Sequence, residues 1–256
     1  LQAAASELAT RGATRIDVVR LFLYRDSFLH QTEYLLGLRP DPPSEFVDHA
    51  AHSMSGYSGH RHGGAANDSA ATAASVHGAS APARAAATPP SPIRCPVPIR
   101  LSHAGLLDDP VAGEILRERA RHLSRDARHE SVLLLAHGAG DEAENSRILA
   151  RIEGMAQALR DDAPYAAVRG ETLREDWPEP RARAEKRIRE FVASEHAAGR
   201  RVLVLPVRLF GFGEYRQVLK GLTYTADELG LLPSPAITGW IRAQLADLEE
   251  SRAAAN

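Results

Sequence analysis

Cysteine is almost missing from this chain. Cys95 is the only one in 256 residues, so no intrachain disulfide can form, and the fold must rest on its core, as expected in a reducing cytoplasm. Neither sign of charge is in excess: 31 Lys and Arg against 33 Asp and Glu leave a net charge of -2. Nucleic-acid binding needs a basic surface, and none is expected. No apolar run approaches the roughly 20 residues of a membrane-spanning helix, and no signal peptide is visible. Large aliphatic side chains are nearly absent from Asp41 to Pro96, which is rich in Ala, Ser, Gly, Pro and His. A segment of that composition cannot bury enough apolar surface to offset its ordering entropy, and it reads as a linker.

What remains is ordinary globular material, 44% hydrophobic and 25% charged, and it alternates between helix and strand. Gln2 to Arg11 reads as a helix ended by Gly12, and Arg15 to Tyr24 as a strand. Pro98 to Leu101 is a candidate short strand, followed by a helix from Val111 to Leu123. Strands are expected at Ser131–Ala136, Ala166–Arg169 and Arg201–Leu209. Helices are expected at Asp141–Arg160, Pro180–Ala198 and Ile237–Glu249. Continuous apolar strands separated by helices predict an α/β fold with a parallel sheet covered on both faces.

The chain also repeats itself. ASELATRGATRIDVV from Ala5 parallels ASEHAAGRRVLVL from Ala193, and GLLDDPVAGEILRERARHL from Gly105 parallels GLLPSPAITGWIRAQLADL from Gly230. The first copy is longer by about the length of the linker. Nothing in it answers to residues 131–192 of the second, so the first half is incomplete. Because the chain begins at Leu1, inside a helix, it is expected to be a fragment. The organisation expected is a first-half remnant at 1–40, linker at 41–96, the end of the first half at 97–126, and a second half at 127–256.

The segment LLLAHGAGDEAEN, 133–145, carries the clearest chemistry. It places His137 and Gly138 between a buried strand and a helix, at the carboxyl edge where open α/β sheets bind ligands. A turn-capping role for His137 is the plain alternative. A histidine phosphatase would need Arg immediately before the His, and Ala136 stands there. A dinucleotide loop would need a third glycine beside Gly138 and Gly140.

A strand, then His-Gly, then a polar loop with Asn eight residues after the His resembles the class II tetrapyrrole chelatases of the sirohydrochlorin cobaltochelatase/ferrochelatase type. His137 and Asn145 have that spacing. VLVLPVRLFGFGEYRQVLKGL, 202–222, answers to the family's third strand and Gly-rich turn, with Pro206, Gly211 and Gly213 in place. The resemblance implies two flavodoxin-like halves facing a cleft, and insertion of a divalent metal, cobalt or iron, into sirohydrochlorin in cobalamin or sirohaem biosynthesis. It implies a tetrapyrrole and a divalent ion as partners, and no cofactor beyond the Co2+ or Fe2+ that is itself substrate. An incomplete first half is expected to lower the activity below that of a full-length protein.

Two departures bear on the site. Where the family carries a second His after the Gly-rich turn, this chain has Glu214, and in the first copy Asp26 takes the corresponding place. The resemblance therefore implies His137 and Glu214 as catalytic groups, with Glu214 an ordinary surface residue as the alternative. It implies Gly138, Asn145, Gly211, Gly213 and Arg208 at the substrate, with Arg216 a further candidate. The family's carboxylate before a Pro is answered by Glu171 and by Glu175; Glu175 joins His137 and Glu214 in the metal set. His49, His52, His60, His62 and Met54 of the linker are either a loose metal-holding tract or a polar spacer. The second reading of the whole chain is a non-catalytic metal- or tetrapyrrole-binding protein of the same fold.

Overall fold

The computed structural model describes residues 1–43 and 89–253; the linker histidines and Met54 lie outside the described residues. Contacts divide the chain into two compact units, Leu1–Thr14 with Phe28–Pro98, and Arg15–Ser27 with Ile99–Asn256.

The first unit holds α1 (Gln2–Thr10) and α2 (Leu29–Leu35). Helix α1 closes in a glycine cap: Gly12 N donates to Ala9 O and Ala13 N to Leu8 O, the paired bonds that satisfy a helix's last carbonyls. The Gln2 amide both donates to Arg94 O at 2.9 Å and accepts from Arg94 N at 2.8 Å.

The second unit contains two parallel sheets. β1 (Ile16–Val18) pairs with β2 (Ile99–Leu101). β3 (Glu130–Ala136), β4 (Ala167–Thr172), β5 (Arg201–Val207) and β6 (Thr225–Ala226) form a four-stranded sheet in the order β4-β3-β5-β6, every pair parallel. Helices α3 (Pro110–Leu123), α4 (Glu142–Asp162), α5 (Pro178–Ala197), short α6 (Tyr215–Val218) and α7 (Pro235–Ala253) complete it. The fold is thus α/β with parallel sheets flanked by helices. Alternate residues of β3 and β5 enter different cores. Val132, Leu134, Leu203 and Leu205 pack with Ile115, Ile152, Leu159 and Trp240; Leu133, Leu135, Val202 and Val204 pack with Ile188, Phe191, Val192 and Tyr215. A strand buried on both faces cannot alternate with polar residues, which is why β3 reads as an unbroken apolar run.

The internal repeat reappears as repeated bonding. Helix α5 closes in the same cap as α1, Gly199 N to His196 O and Arg200 N to Glu195 O. Pro110 and Pro235 each open a helix, where the missing N–H costs nothing, and each is preceded by a capping oxygen. Asp109 accepts from Val111 N at 2.9 Å, and Ser234 Oγ from Ala236 N at 3.3 Å. Ahead of each helix a Gly-Leu-Leu turn hangs on the tail of a strand. Leu106 and Leu107 donate to Phe22 O and Leu23 O, and Leu231 and Leu232 to Arg208 O and Leu209 O.

These tails explain where the expected strands fall short. Regular pairing of 15–24 ends at Val18, and that of 201–209 at Val207. The partners β2 and β6 are only three and two residues long, so the chain leaves the ladder to run against the Gly-Leu-Leu turn. Gly105 permits that approach. A Cβ there would stand 2.4 Å from Arg25 N and 2.7 Å from Leu23 O, both rigid backbone. Gly105→Ala is therefore expected to lower stability by about 3 kcal/mol, the upper end for overpacking. A urea midpoint within error of wild type would refute the close approach.

Candidate functional site

Strands β3, β4 and β5 all end at one edge, so the residues that follow them share it. His137 follows β3 and is 35% exposed by side chain. Its Nδ1 lies 3.0 Å from Gly138 O. A carbonyl only accepts, so Nδ1 carries the hydrogen, and in the neutral ring Nε2 keeps its lone pair. That Nε2 lies 3.3 Å from Asp176 Oδ2, on the well-exposed carboxylate that follows β4. The ring also meets the Trp177 ring edge-on, with centroids 5.9 Å apart. A lone pair facing a carboxylate is unfavourable unless a cation, a proton or a metal ion, sits between them.

The loop carrying His137 is fixed from below. Gly138 has φ +85°, and a Cβ there would lie 2.8 Å from both Asn145 Oδ1 and Thr172 Cβ. Asn145 is buried, and its Oδ1 accepts from Ala139 N at 3.2 Å and Thr172 Oγ1 at 2.9 Å. Asn145 thus positions the His-Gly turn from within the protein. Arg174 ties the same loop to the exit of β4. Its N donates to His137 O at 2.6 Å, and its guanidinium reaches Gly140 O and Glu142. Its φ of +61° is uncommon for a non-glycine residue and is held by those bonds.

Glu171 and Glu175 occupy different environments. Glu171 is inside β4, its carboxylate buried and bound by Arg169 and Arg187. Glu175 lies beyond the strand, at the edge. Its side chain is 9% exposed, and Oε1 accepts from Arg208 Nη1 at 3.1 Å. Arg208 follows β5; its guanidinium lies 5.2 Å from the centroid of Tyr215 and covers Gly213, where a Cβ would stand 2.2 Å from Nη1. Glu214 meets Arg181 Nη1 at 2.7 Å. Gly211 has φ +69° and open space about its Cα, and it bonds Leu229 O beside the exposed Phe210. Arg216 pairs with Glu228 on the surface, and Asp26 is exposed.

Two phenols lie under this edge. The Tyr24 and Tyr215 hydroxyls are buried and make no hydrogen bond among the described residues. Burial raises both above the usual phenol value. The Glu175 charge adds to each, with Arg208 opposing at Tyr215 and Arg151 at Tyr24.

The three residues of the metal set therefore stand on three consecutive loops, each with a separate partner. Among the described residues no three His, Cys, Asp or Glu gather as a metal cluster. Asp176, Arg174, Arg181 and Tyr215 were not singled out from the sequence. Asp176 carried a signal, an acid directly before Trp-Pro; the others became site residues only through contacts between distant segments.

No helix of the described residues is long and apolar enough to cross a membrane. No protein-family model and no curated protein matches the chain. Among solved structures, SirB from Bacillus subtilis, determined with Fe3+, is similar over 98% of this chain and 79% of that one. The TM-score is 0.56 and the identity 16%. At that identity the likeness is one of fold, and the chain has an α/β fold similar to that of SirB.

Proposed function

We propose that this chain inserts a divalent metal, cobalt or iron, into sirohydrochlorin, as a cytoplasmic step of cobalamin or sirohaem synthesis. The ion is a substrate, and no other cofactor is required. One observation carries the reading: His137 Nε2 stands 3.3 Å from the Asp176 carboxylate, a seat for a proton or a metal ion at the mouth of the sheet edge. Metal insertion exchanges two pyrrole N–H protons for one M2+. His137 accepts one proton from the ring through Nε2, with Asp176 stabilising the imidazolium so formed, and the Glu214 carboxylate takes the second once it has released the ion. Imidazole also suits Fe and Co as a ligand, so the same nitrogen hands the ion inward. Glu214 and Glu175 supply carboxylates to the ion, and Arg208 meets the substrate's own carboxylates. Gly211 leaves backbone open to the macrocycle, while Gly138 and Gly213 let Asn145, Thr172 and Arg208 pack close beneath it. The fold shared with a protein determined with Fe3+ supports this reading.

The alternative, a metal- or tetrapyrrole-binding protein without turnover, is favoured by the ion pairs that occupy Glu214 and Glu175. Anaerobic absorbance of sirohydrochlorin with Co(II), and separately Fe(II), distinguishes them. Many turnovers per protein are expected. Saturable spectral change limited to one equivalent would replace the enzyme with the binder, and no change over the protein-free control would reject both.

A further inference from the structure

Both carboxylates assigned to the ion are covered by guanidinium groups. Arg181 Nη1 lies 2.7 Å from Glu214 Oε2 and donates to Glu175 O at 2.9 Å, while its Nε reaches Glu185 at 2.8 Å. Arg208 Nη1 lies 3.1 Å from Glu175 Oε1. A divalent ion and a guanidinium repel each other at a shared carboxylate, so the donors are blocked while these pairs stand. Both arginines are nonetheless about a quarter exposed, 26% and 27%, and open to a ligand from outside. Guanidinium groups bind carboxylates in two-point geometry and exchange one for another with little change in pairing.

Withdrawing Arg208 would ordinarily strand Glu175, a buried charge. Here Tyr215 stands ready behind it. Its side chain is fully buried, and Glu175 is both the charge that acts on it most strongly and the carboxylate its hydroxyl can reach. A phenol O–H is a donor, so Glu175 can keep a partner when Arg208 leaves.

We propose that Arg181 and Arg208 form a carboxylate-exchange gate. In the free protein they hold Glu214 and Glu175 closed; a polycarboxylate substrate draws both guanidinium groups onto itself and opens the two acids to the ion. The organic substrate binds first and the metal second. This rests on the proposed function in taking Glu175 and Glu214 as the ion's ligands, and it does not depend on turnover.

The test uses binding alone. Calorimetric titration with Co2+ is run on wild type, on Arg181→Gln/Arg208→Gln, and on that double variant carrying Glu175→Gln/Glu214→Gln. Opening the gate is expected to tighten Co2+ binding by about tenfold, and removal of the two acids to abolish the gain. Metal-free sirohydrochlorin, followed by absorbance, is expected to bind the arginine double variant about tenfold more weakly. Arg181→Lys/Arg208→Lys keeps the charge and loses the planar fork, and its Co2+ affinity is expected to fall between wild type and the Gln variant. Co2+ affinity unchanged or weaker in a folded Gln variant, or unchanged sirohydrochlorin affinity, overturns the gate. A protein that shows both changes and never turns over retains the gate while losing the chelatase reading.

Discussion

His137→Ala is expected to lower the rate of metal insertion by about 10²–10⁴-fold, the range for losing a positioned acid-base group, while leaving thermal unfolding nearly unchanged. The separation of the two effects follows from where the side chain sits. The imidazole projects from the end of β3, a third exposed, and belongs to neither core cluster. Its deletion removes nothing from either core cluster and costs the Nδ1–H bond to Gly138 O, so stability should move by no more than about 1 kcal/mol. Function loses the imidazole whose Nε2 stands 3.3 Å from Asp176. Asp176→Asn keeps the shape of that contact but removes the charge that stabilises the imidazolium. A smaller loss is expected there, together with a shift of the pH–rate profile. Turnover followed by absorbance, beside a thermal melt of each variant, checks both. A His137→Ala protein that melts like wild type and keeps its rate would remove His137 from the mechanism.

The contrast with Asn145 shows what the sequence could and could not disclose. His137 and Asn145 were both legible, because a strand-loop-helix junction with polar residues at fixed spacing survives any packing of the rest. Their division of labour was not. Asn145, expected at the substrate, is buried beneath the turn and bonded to Ala139 and Thr172. β3 and β5 were readable because both faces of the sheet are covered, so hydrophobicity is unbroken along each strand. The repeat was readable because each copy must end a helix, start a strand and seat a Gly-Leu-Leu turn on its tail, and each of those tasks selects particular residues. β6 was missed: two residues, Thr225 and Ala226, carry no periodicity. Arg181 looks in sequence like the many other surface arginines, and Arg208, which the resemblance implied at the substrate, gives no sign there of its pairing with Glu175. They acquire meaning only when parallel crossovers carry the ends of β4 and β5 to one edge and set them against Glu214 and Glu175.

At the opposite edge of the same sheet, Glu130→Ala is expected to cost about 3–5 kcal/mol, the range for breaking a buried charge pair by removing one partner. Glu130 opens β3 with its side chain 2% exposed, and it collects three donors. Arg201 Nη1, on the residue paired with it in β5, lies 2.7 Å from Oε1; Arg125 N donates to the same oxygen at 2.9 Å, and the Ser124 hydroxyl to Oε2. The alanine variant leaves the Arg201 guanidinium with Leu123 O and leaves the other two donors unmatched. Glu130→Gln keeps the volume and an acceptor, and should cost less, about 1–3 kcal/mol. The pH dependence follows from the same contacts. Burial alone would raise the carboxyl's pKa, but Ser124, Arg125 N and Arg201 together outweigh it and hold it below its ordinary 4.5. Stability from a lowered carboxyl is complete above the unfolded value and disappears as pH falls through the folded one. The gap between wild type and Glu130→Gln, measured by denaturant unfolding, should therefore be constant from pH 7 down to about 5 and close in stronger acid. A gap as large at pH 3 as at pH 7 would mean that the cost is one of packing, and that the charge of Glu130 does not hold β3 to β5.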